Sequence, residues 1–284
     1  MVTTMTMAVR CFGNFSVQVD GRPVGRWRAG RARNLFQYLL LNHGKVVGRE
    51  RLFEVLWPDG EFAPATSSLK VAVHAVRRVL RDATDVRSRP AEIDCRDGGY
   101  VLSAGDLWLD IEEFDARITR ARVAEEHGEP VAARSSYGRA LELYSGDFLA
   151  AESGEWAAEQ REYSRALALH ALGYLRADAL RRDDHPEVIT CCRRILDIDP
   201  YHEEMYQTLM LVHGRRGELG QVRNWHRMCL RRLSDDLDVV PAETTNRIYA
   251  RAMRGELRAP TGAARPHGVR DSHLTKNQSM PSVA

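Results

Sequence analysis

The fold of this protein is decided by one stretch of sequence, residues 66–81, which reads TSSLKVAVHAVRRVLR. Apolar residues recur in it at the spacing of an α-helix and form a single stripe. That stripe consists of Leu69, Val73, Val76 and Leu80. The opposite face carries Ser67, Lys70, Val71, His74, Arg78 and Arg81. The pattern predicts a helix that packs on a core through one face and presents a largely basic surface to solvent.

Short strands and two more helices flank this stretch. Before it, residues 15–19 alternate between apolar and polar side chains, and Asp20-Gly21 suits the positive φ angles of a tight hairpin turn. Helices are predicted over residues 31–43 and 49–57, the second stopped by Pro58. After it, residues 93–95 and 100–102 predict a second hairpin around a glycine pair at 98–99. Small antiparallel sheets and three helices in this order are typical of a winged helix-turn-helix, here over residues 8–104.

The formal net charge of +2 hides an asymmetry along the chain. Residues 1–104 carry 16 Lys and Arg against 10 Asp and Glu, whereas residues 105–258 carry 22 against 28. A basic first part joined to an acidic second part indicates that only the first part meets a polyanion.

The basic helix has two interpretations. An amphipathic helix with a basic outer face is usually a solvated surface and nothing more. In a net-positive domain with a glycine-tipped hairpin, however, such a helix is typical of one that lies in the major groove of duplex DNA. Arg96, beside the glycine turn, is then placed to enter a neighbouring minor groove. The combination favours DNA binding.

The second part of the chain is predicted to be all helical. Its predicted helices cover residues 111–127, 130–144, 155–182, 185–198, 203–217, 220–237 and 242–255. Short connections with Gly or Pro, and similar helix endings at residues 139–143 and 194–200, indicate a tetratricopeptide-like repeat over residues 105–258. Stacked repeats leave a concave surface that usually binds protein; the alternative is an all-helical core without a partner. The polar tail, residues 259–284, is predicted to be disordered.

Several of these segments resemble one bacterial family. Residues 67–80 (SSLKVAVHAVRRVL) are similar to the recognition helix of antibiotic regulatory proteins of the Streptomyces type. Residues 52–58 (LFEVLWP) and 98–100 (GGY) resemble the preceding helix and the wing turn. Residues 140–149 (ALELYSGDFL), Trp156 and residues 199–204 (DPYHEE) are similar to the bacterial transcriptional activator domain. The resemblance covers about residues 8–256.

The resemblance implies a mainly α protein: a winged helix of the response-regulator type, then an all-α tetratricopeptide-like domain. It implies an activator that binds direct repeats in promoters of secondary-metabolite genes and contacts RNA polymerase and its sigma factor. It also implies a homodimer, at least on DNA, whose copies lie head to tail about 10–11 bp apart or a multiple of that. The implied DNA-binding positions are Ser67, Lys70, Val71, His74, Arg77, Arg78 and Arg81.

Catalytic and metal-binding motifs are not indicated. The sequence has no Gly-rich phosphate loop and no GxSxG elbow, and His202-Glu203-Glu204 begins like a zinc-protease helix but lacks the second histidine. The spacing of the five cysteines suits neither a metal site nor a disulfide framework. We therefore expect no enzymatic activity, no metal and no cofactor. No apolar run reaches the roughly 18 residues of a membrane span, so a cytoplasmic, nucleoid-associated protein is expected.

Two other functions stay open at this point. One is a protein-binding adaptor that acts through its helical repeat, in which the winged helix serves only as a structural platform. A repressor is equally compatible with the residues, since DNA binding alone does not fix the direction of regulation. With no receiver domain recognised, activity is expected to follow the amount of protein or a ligand of the helical domain.

Overall fold

The computed structural model describes residues 6–25, 27, 30–58, 66–82 and 91–258. The tail that was predicted to be disordered, residues 259–284, lies outside this range. The described strands are β1 (Thr6–Arg10), β2 (Ser16–Val19), β3 (Arg22–Pro23), β4 (Val47–Gly48), β5 (Ala91–Arg96), β6 (Gly99–Ala104) and β7 (Asp106–Leu109). The described helices are α1 (Arg31–Leu41), α2 (Arg49–Leu56), α3 (Thr66–Asp82), α4 (Asp110–Glu126), α5 (Pro130–Leu143), α6 (Glu155–Arg181), α7 (His185–Ile198), α8 (Glu203–Arg215), α9 (Leu219–Leu237) and α10 (Glu243–Met253).

Every predicted helix is present, and each end lies within two residues of its predicted position. Local signals explain this agreement. Pro130 opens α5, where its missing N–H costs nothing, and Pro186 lies in the first turn of α7. The Asp184 carboxylate caps α7 by accepting a hydrogen bond from the Glu187 N–H at 3.1 Å.

The first sheet has the strand order β3-β2-β1-β7. Strands β1 and β2 are antiparallel, and β2 returns into β3 through Asp20 and Gly21, whose φ angles are 49° and 74°. Both angles are positive, as the predicted tight turn requires.

Strand β7 differs from the prediction, because it pairs with β1 in parallel and makes this sheet mixed rather than purely antiparallel. It also lies in the stretch that was assigned to the helical part. Four residues, DLWL, are too few to show a period-two pattern in the sequence. These four residues form a strand only because β1 lies beside them.

The second sheet, β4-β6-β5, contains the predicted second hairpin. Its turn places Asp97 and Gly98 at φ angles of 43° and 78°. Gly99 is needed for a different reason: a Cβ atom there would lie 2.3 Å from the Val47 carbonyl oxygen. This glycine therefore allows β4, just before α2, to pair with the hairpin.

Helices α1 and α3 pack against each other, and α3 also packs against β5. In the second part, each helix from α4 to α9 packs against the next along the chain, and α10 closes the array against α8 and α9. Of the described helices, none is long and apolar enough to cross a lipid bilayer.

The two parts share one hydrophobic core where β1 meets α4 and the segment after α5. The Phe12 ring lies 5.2 Å from Phe114 and 6.3 Å from Phe148, centroid to centroid. We call this region the junction.

A buried carboxylate ties the two sides of the junction together. Asp110, the first residue of α4, accepts hydrogen bonds from the backbone N–H of Cys11 at 2.8 Å and of Phe12 at 3.0 Å. Burial raises the pKa of Asp110, although these two amide hydrogen bonds act in the opposite direction. The buried contacts fix the winged helix on the helical array instead of leaving it on a free linker.

Candidate nucleic-acid interface

The candidate interface is built on α3, whose two faces are separated as the sequence predicts. The apolar stripe is buried: Leu69, Val73, Val76 and Leu80 are each at most 3% exposed. All of the residues predicted on the opposite side are exposed. We call that side the outward face of α3; it consists of Ser67, Lys70, Val71, His74, Arg78 and Arg81.

The outward face combines charge with one apolar side chain. Val71 is 67% exposed although it is hydrophobic; Lys70 precedes it in the sequence, and His74 follows three positions later, almost one helical turn along α3. Arg78 makes an ion pair at 3.7 Å with Asp82, and both side chains are more than 70% exposed. A solvent-exposed pair of this kind is worth less than about 1 kcal/mol, so it does not hold Arg78 away from another partner.

Arg77, also on α3, forms hydrogen bonds within the protein. Its guanidinium donates two hydrogen bonds to the backbone carbonyl oxygen of Ile93, from Nε at 3.0 Å and from Nη2 at 2.6 Å. These bonds join α3 to strand β5. The structure thus distinguishes Arg77 from the other positions that the resemblance implied, because N–H donors at its Nε and Nη2 already bond within the protein.

Arg96 lies at the end of β5, directly before the turn of the hairpin. Its guanidinium is 3.5 Å from the Asp94 carboxylate, and the Arg96 side chain is 61% exposed. The tight turn at Asp97-Gly98 keeps the tip narrow. The arrangement leaves a basic side chain at the tip of the wing, as predicted.

Sequence reasoning missed one feature beside α3. The Arg31 guanidinium lies over the Trp57 ring, 5.6 Å from its centroid, and both residues border a shallow depression together with Ser67 and Val71. Arg31 opens α1 and Trp57 follows α2, so only the packing of three helices brings them to α3. A cation held over an aromatic ring keeps a defined position next to the outward face.

Glu203, in the stretch that begins like a zinc-protease helix, and the nearby Asp199 have structural roles. Glu203 accepts hydrogen bonds from the Ala242 N–H at 2.8 Å and from the Thr245 hydroxyl, which holds α10 against α8. Asp199 accepts a hydrogen bond from the Tyr201 N–H at 3.1 Å in the turn before α8. Both carboxylates thereby stabilise helix connections.

Four of the five cysteines are buried, and Cys95 is exposed. Burial raises the pKa of Cys191 to about 11, and it raises the pKa of both Cys192 and Cys229 to about 12. The pKa of Cys11 is also raised well above its ordinary value, first by burial and then by Asp110. Such thiols stay protonated at neutral pH and pack as small apolar groups.

A winged helix fixed to a helical array defines a two-part transcriptional regulator, and comparison with protein families agrees. The family model of the bacterial transcriptional activator domain matches residues 109–252, about half of the chain. The protein belongs to this family. The model described as "Transcriptional regulatory protein, C terminal" matches residues 28–102.

Two regulatory proteins of Streptomyces are similar to the chain. AfsR of Streptomyces coelicolor is 27% identical over 266 residues, which cover 89% of this chain but only 26% of AfsR. DnrI of Streptomyces peucetius is 26% identical over 232 residues, which cover 80% of this chain and 85% of DnrI. The chain therefore spans about a quarter of AfsR and most of DnrI. The predicted resemblance to antibiotic regulatory proteins is confirmed.

A solved structure has the same fold. It is that of Mycobacterium tuberculosis EmbR in complex with a low-affinity phosphopeptide, and it matches with a TM-score of 0.61 and 21% identity. The match covers 88% of this chain and 65% of EmbR. The predicted fold class, a winged helix followed by a tetratricopeptide-like helical domain, is confirmed.

Proposed function

We propose that this protein is a transcriptional activator that binds direct repeats in promoters through the outward face of α3. The observation that carries the proposal is the contrast between the two faces of that helix. The buried stripe fixes α3 on the core, and the exposed face offers donors, cations and one apolar side chain within the width of a major groove.

Each member of the outward face has a chemical role in this proposal. Lys70 and Arg81 neutralise phosphates, and Arg78 pairs with the acceptor atoms of guanine. Val71 contacts the methyl group of thymine, whereas Ser67 and His74 form hydrogen bonds with base edges or phosphates. Arg96 enters the adjacent minor groove from the tip of the wing.

Arg77 and Arg31 support this surface in different ways. Arg77 positions the wing relative to α3 through its hydrogen bonds to the Ile93 carbonyl. Arg31, held over Trp57, adds a phosphate contact beside Ser67. A phosphate contact of this kind strengthens binding but carries no sequence information.

The helical part supplies activation in this proposal. It recruits RNA polymerase and its sigma factor, and the match to the activator-domain family supports that assignment. Two copies bind head to tail on a direct repeat. The similarity to DnrI and AfsR supports secondary-metabolite genes as targets.

The DNA interface is tested by selection of bound duplexes from a random library with the purified full-length chain, followed by titration of the selected site at several salt concentrations. We expect a motif repeated in the same orientation with centres about 10–11 bp apart or a multiple of that. The slope of log K, the association constant, against the logarithm of the salt concentration should be negative, with a magnitude of about 0.9 for each phosphate contact.

Other outcomes of the selection overturn specific elements of the proposal. Inverted half-sites would contradict the head-to-tail arrangement. No enrichment from folded protein at low salt would overturn DNA binding and favour the adaptor. A separate promoter–reporter assay decides the direction of regulation, because output falls on deletion of an activator gene and rises on deletion of a repressor gene.

A further inference from the structure

The outer side of α9 carries three arginines in a row. Arg223, Arg227 and Arg231 follow one another at intervals of four residues, about one helical turn. All three are exposed, and none forms an ion pair or a side-chain hydrogen bond with another described residue. By contrast, each arginine of α6 and α10 has such a partner. The row is therefore a concentration of unpaired positive charge, in a part of the chain that is acidic overall.

Exposed apolar side chains lie beside this row. Leu230 comes seven residues after Arg223, and Leu237 comes seven residues after Leu230, so all three share one side of the helix. Among the described residues, five of the twelve exposed large hydrophobic side chains lie within residues 228–240. A single exposed apolar residue is normal, whereas such a concentration indicates an interaction site. We call this side the basic face of α9; it consists of Arg223, Arg227, Leu230, Arg231 and Leu237.

The first half of α6 carries a face of the opposite charge. Glu155, Glu159 and Glu162 follow one another at intervals of four and three residues and therefore share one side of the helix. Glu155 and Glu159 are exposed and have no side-chain partner among the described residues. Glu162 pairs with Arg165 at 2.8 Å, but its side chain is 69% exposed. Tyr163, at the edge of this row, is 53% exposed. We call this side the acidic face of α6; it consists of Glu155, Glu159, Glu162 and Tyr163.

The two faces belong to different ends of the helical array. The acidic face lies near the junction, where the Trp156 ring of α6 is 5.3 Å from the Tyr38 ring of α1, centroid to centroid. The basic face belongs to the last helices, where α9 packs against α8 and α10. The arginines of one face form no ion pair with the carboxylates of the other within the described chain. A partner for either face must therefore come from another molecule.

We propose that the basic face of α9 in one copy of this chain binds the acidic face of α6 in a second copy. The two faces are complementary in charge, and each has apolar side chains beside its charged row. DNA phosphates would also attract the arginines, but they would leave Leu230 and Leu237 exposed to water. Tyr163 on the acidic face offers these leucines an apolar surface.

This contact has a direction, because it joins two different surfaces. Such a heterologous contact places both copies in the same orientation, whereas an isologous contact relates them by a two-fold axis. Copies in the same orientation match half-sites that are repeated directly, and a two-fold axis matches inverted half-sites. The inference deepens the proposed function by naming the surfaces that join the two copies, and it rests on that proposal for the direct repeat.

The experiment compares binding of the full-length chain to the selected direct repeat and to a duplex with one half-site, at low salt. We expect the second copy to bind the repeat about tenfold more tightly than the first, the combined effect of several exposed ion pairs. Arg223→Glu, Arg227→Glu makes both faces acidic, and Glu155→Arg, Glu159→Arg makes both basic. Each double variant should lose the tenfold gain, because like charges then face each other, and should bind one half-site as the original chain does.

Combining the changes provides the decisive arm. A chain with all four substitutions again has faces of opposite charge and should recover most of the cooperativity. Unchanged cooperativity in the double variants, or no recovery in the combined variant, would overturn the inference. Weaker binding of the Arg223→Glu, Arg227→Glu variant to one half-site would show that the row contacts DNA instead.

A matched control is available on two other helices. Arg139→Glu, Arg193→Glu reverses two exposed arginines on α5 and α7 and should leave cooperativity unchanged, whereas an equal loss would reduce the effect to net charge and overturn the inference. Should a reversed chain fail to fold, Leu230→Gln keeps every charge and removes apolar contact. It should lower cooperativity, and an unchanged value would contradict the interface.

Failure of DNA binding is recognised separately. If the original chain does not bind one half-site, the proposed function is wrong, and sedimentation equilibrium without DNA at low salt decides the inference. A mass that rises with protein concentration in the original and combined chains, but not in the double variants, supports the contact between copies. A monomeric original chain in that measurement would contradict it.

Discussion

Arginine side chains have opposite roles in two regions of this molecule. One region is the outward face of α3; the other is α6, where arginines contact the segment after α5 that belongs to the junction. On α3, Arg78 is 74% exposed and forms an ion pair at 3.7 Å with Asp82, which is exposed as well. On α6, Arg161 donates three hydrogen bonds to backbone carbonyls, and Arg165 forms a bidentate pair with Asp147. A guanidinium whose donors are used within the chain stabilises the fold, and one that faces water is available to a phosphate or a base.

The comparison is tested most severely by Arg161→Ala. The side chain donates to the carbonyl oxygens of Phe148, Leu149 and Glu152 at 2.8–3.1 Å, and all three would lose this donor. We expect the free energy of unfolding to fall by about 3 kcal/mol, as measured by urea denaturation. The matched variant Arg78→Ala should change it by less than about 0.5 kcal/mol. Equal losses in the two variants would mean that the distinction between the two regions has no energetic meaning.

Binding measurements should give the reverse order. Arg78→Ala and Lys70→Ala should each weaken binding to the selected duplex by about 1–3 kcal/mol if the side chain contacts a base, with little change in the free energy of unfolding. Arg193→Ala, at an exposed arginine on α7, is the control and should bind as the original chain does. Wild-type affinity in the Arg78→Ala, Lys70→Ala double variant would exclude the outward face as the DNA interface.

Arg77 sharpens the comparison, because it lies on α3 but is bonded within the protein. Arg77→Met removes both hydrogen bonds to the Ile93 carbonyl and should lower the free energy of unfolding by about 1–2 kcal/mol. Hydrogen exchange in β5 should become faster at the same time. If Arg77→Met instead weakens DNA binding as much as Arg78→Ala and leaves stability unchanged, Arg77 contacts DNA, as the family resemblance implied.

A half-buried carboxylate in the first half of α4 extends the comparison to an acid. Asp115 Oδ1 is buried with no hydrogen-bond partner among the described residues, and burial, followed by the nearby Glu112, raises the pKa of Asp115 to about 6. The folded chain therefore binds this proton more tightly than the unfolded chain does, and the group lowers stability as the pH rises from about 4 to about 6.

Asp115→Asn should remove this cost. We expect the free energy of unfolding at pH 7 to rise by about 1 kcal/mol, a value reduced for the partial exposure of the group. The gain should disappear below about pH 4, where the carboxyl is protonated in both states. Urea denaturation at pH 4 and pH 7 provides the measurement, and an equal effect at both pH values would contradict a titration of Asp115.

The sequence by itself determined the helices and the two faces of α3. Local rules were sufficient for this: Pro130 and Pro186 mark helix starts, the Asp97-Gly98 pair forms the turn, and the spacing of the apolar residues of α3 selects its buried side. Such signals act over a few positions, so they can be recognised without knowing the neighbours in space.

Tertiary structure alone decided which charged side chains are still available and where the two parts meet. Asp110 bonds to Cys11, 99 positions away, and strand β7 exists only because β1 lies beside it. The bond between Arg77 and Ile93 also has no periodic signal in the sequence. These features depend on contacts between distant segments. Where such contacts exclude water, each hydrogen bond has a larger effect on stability than it has in solvent.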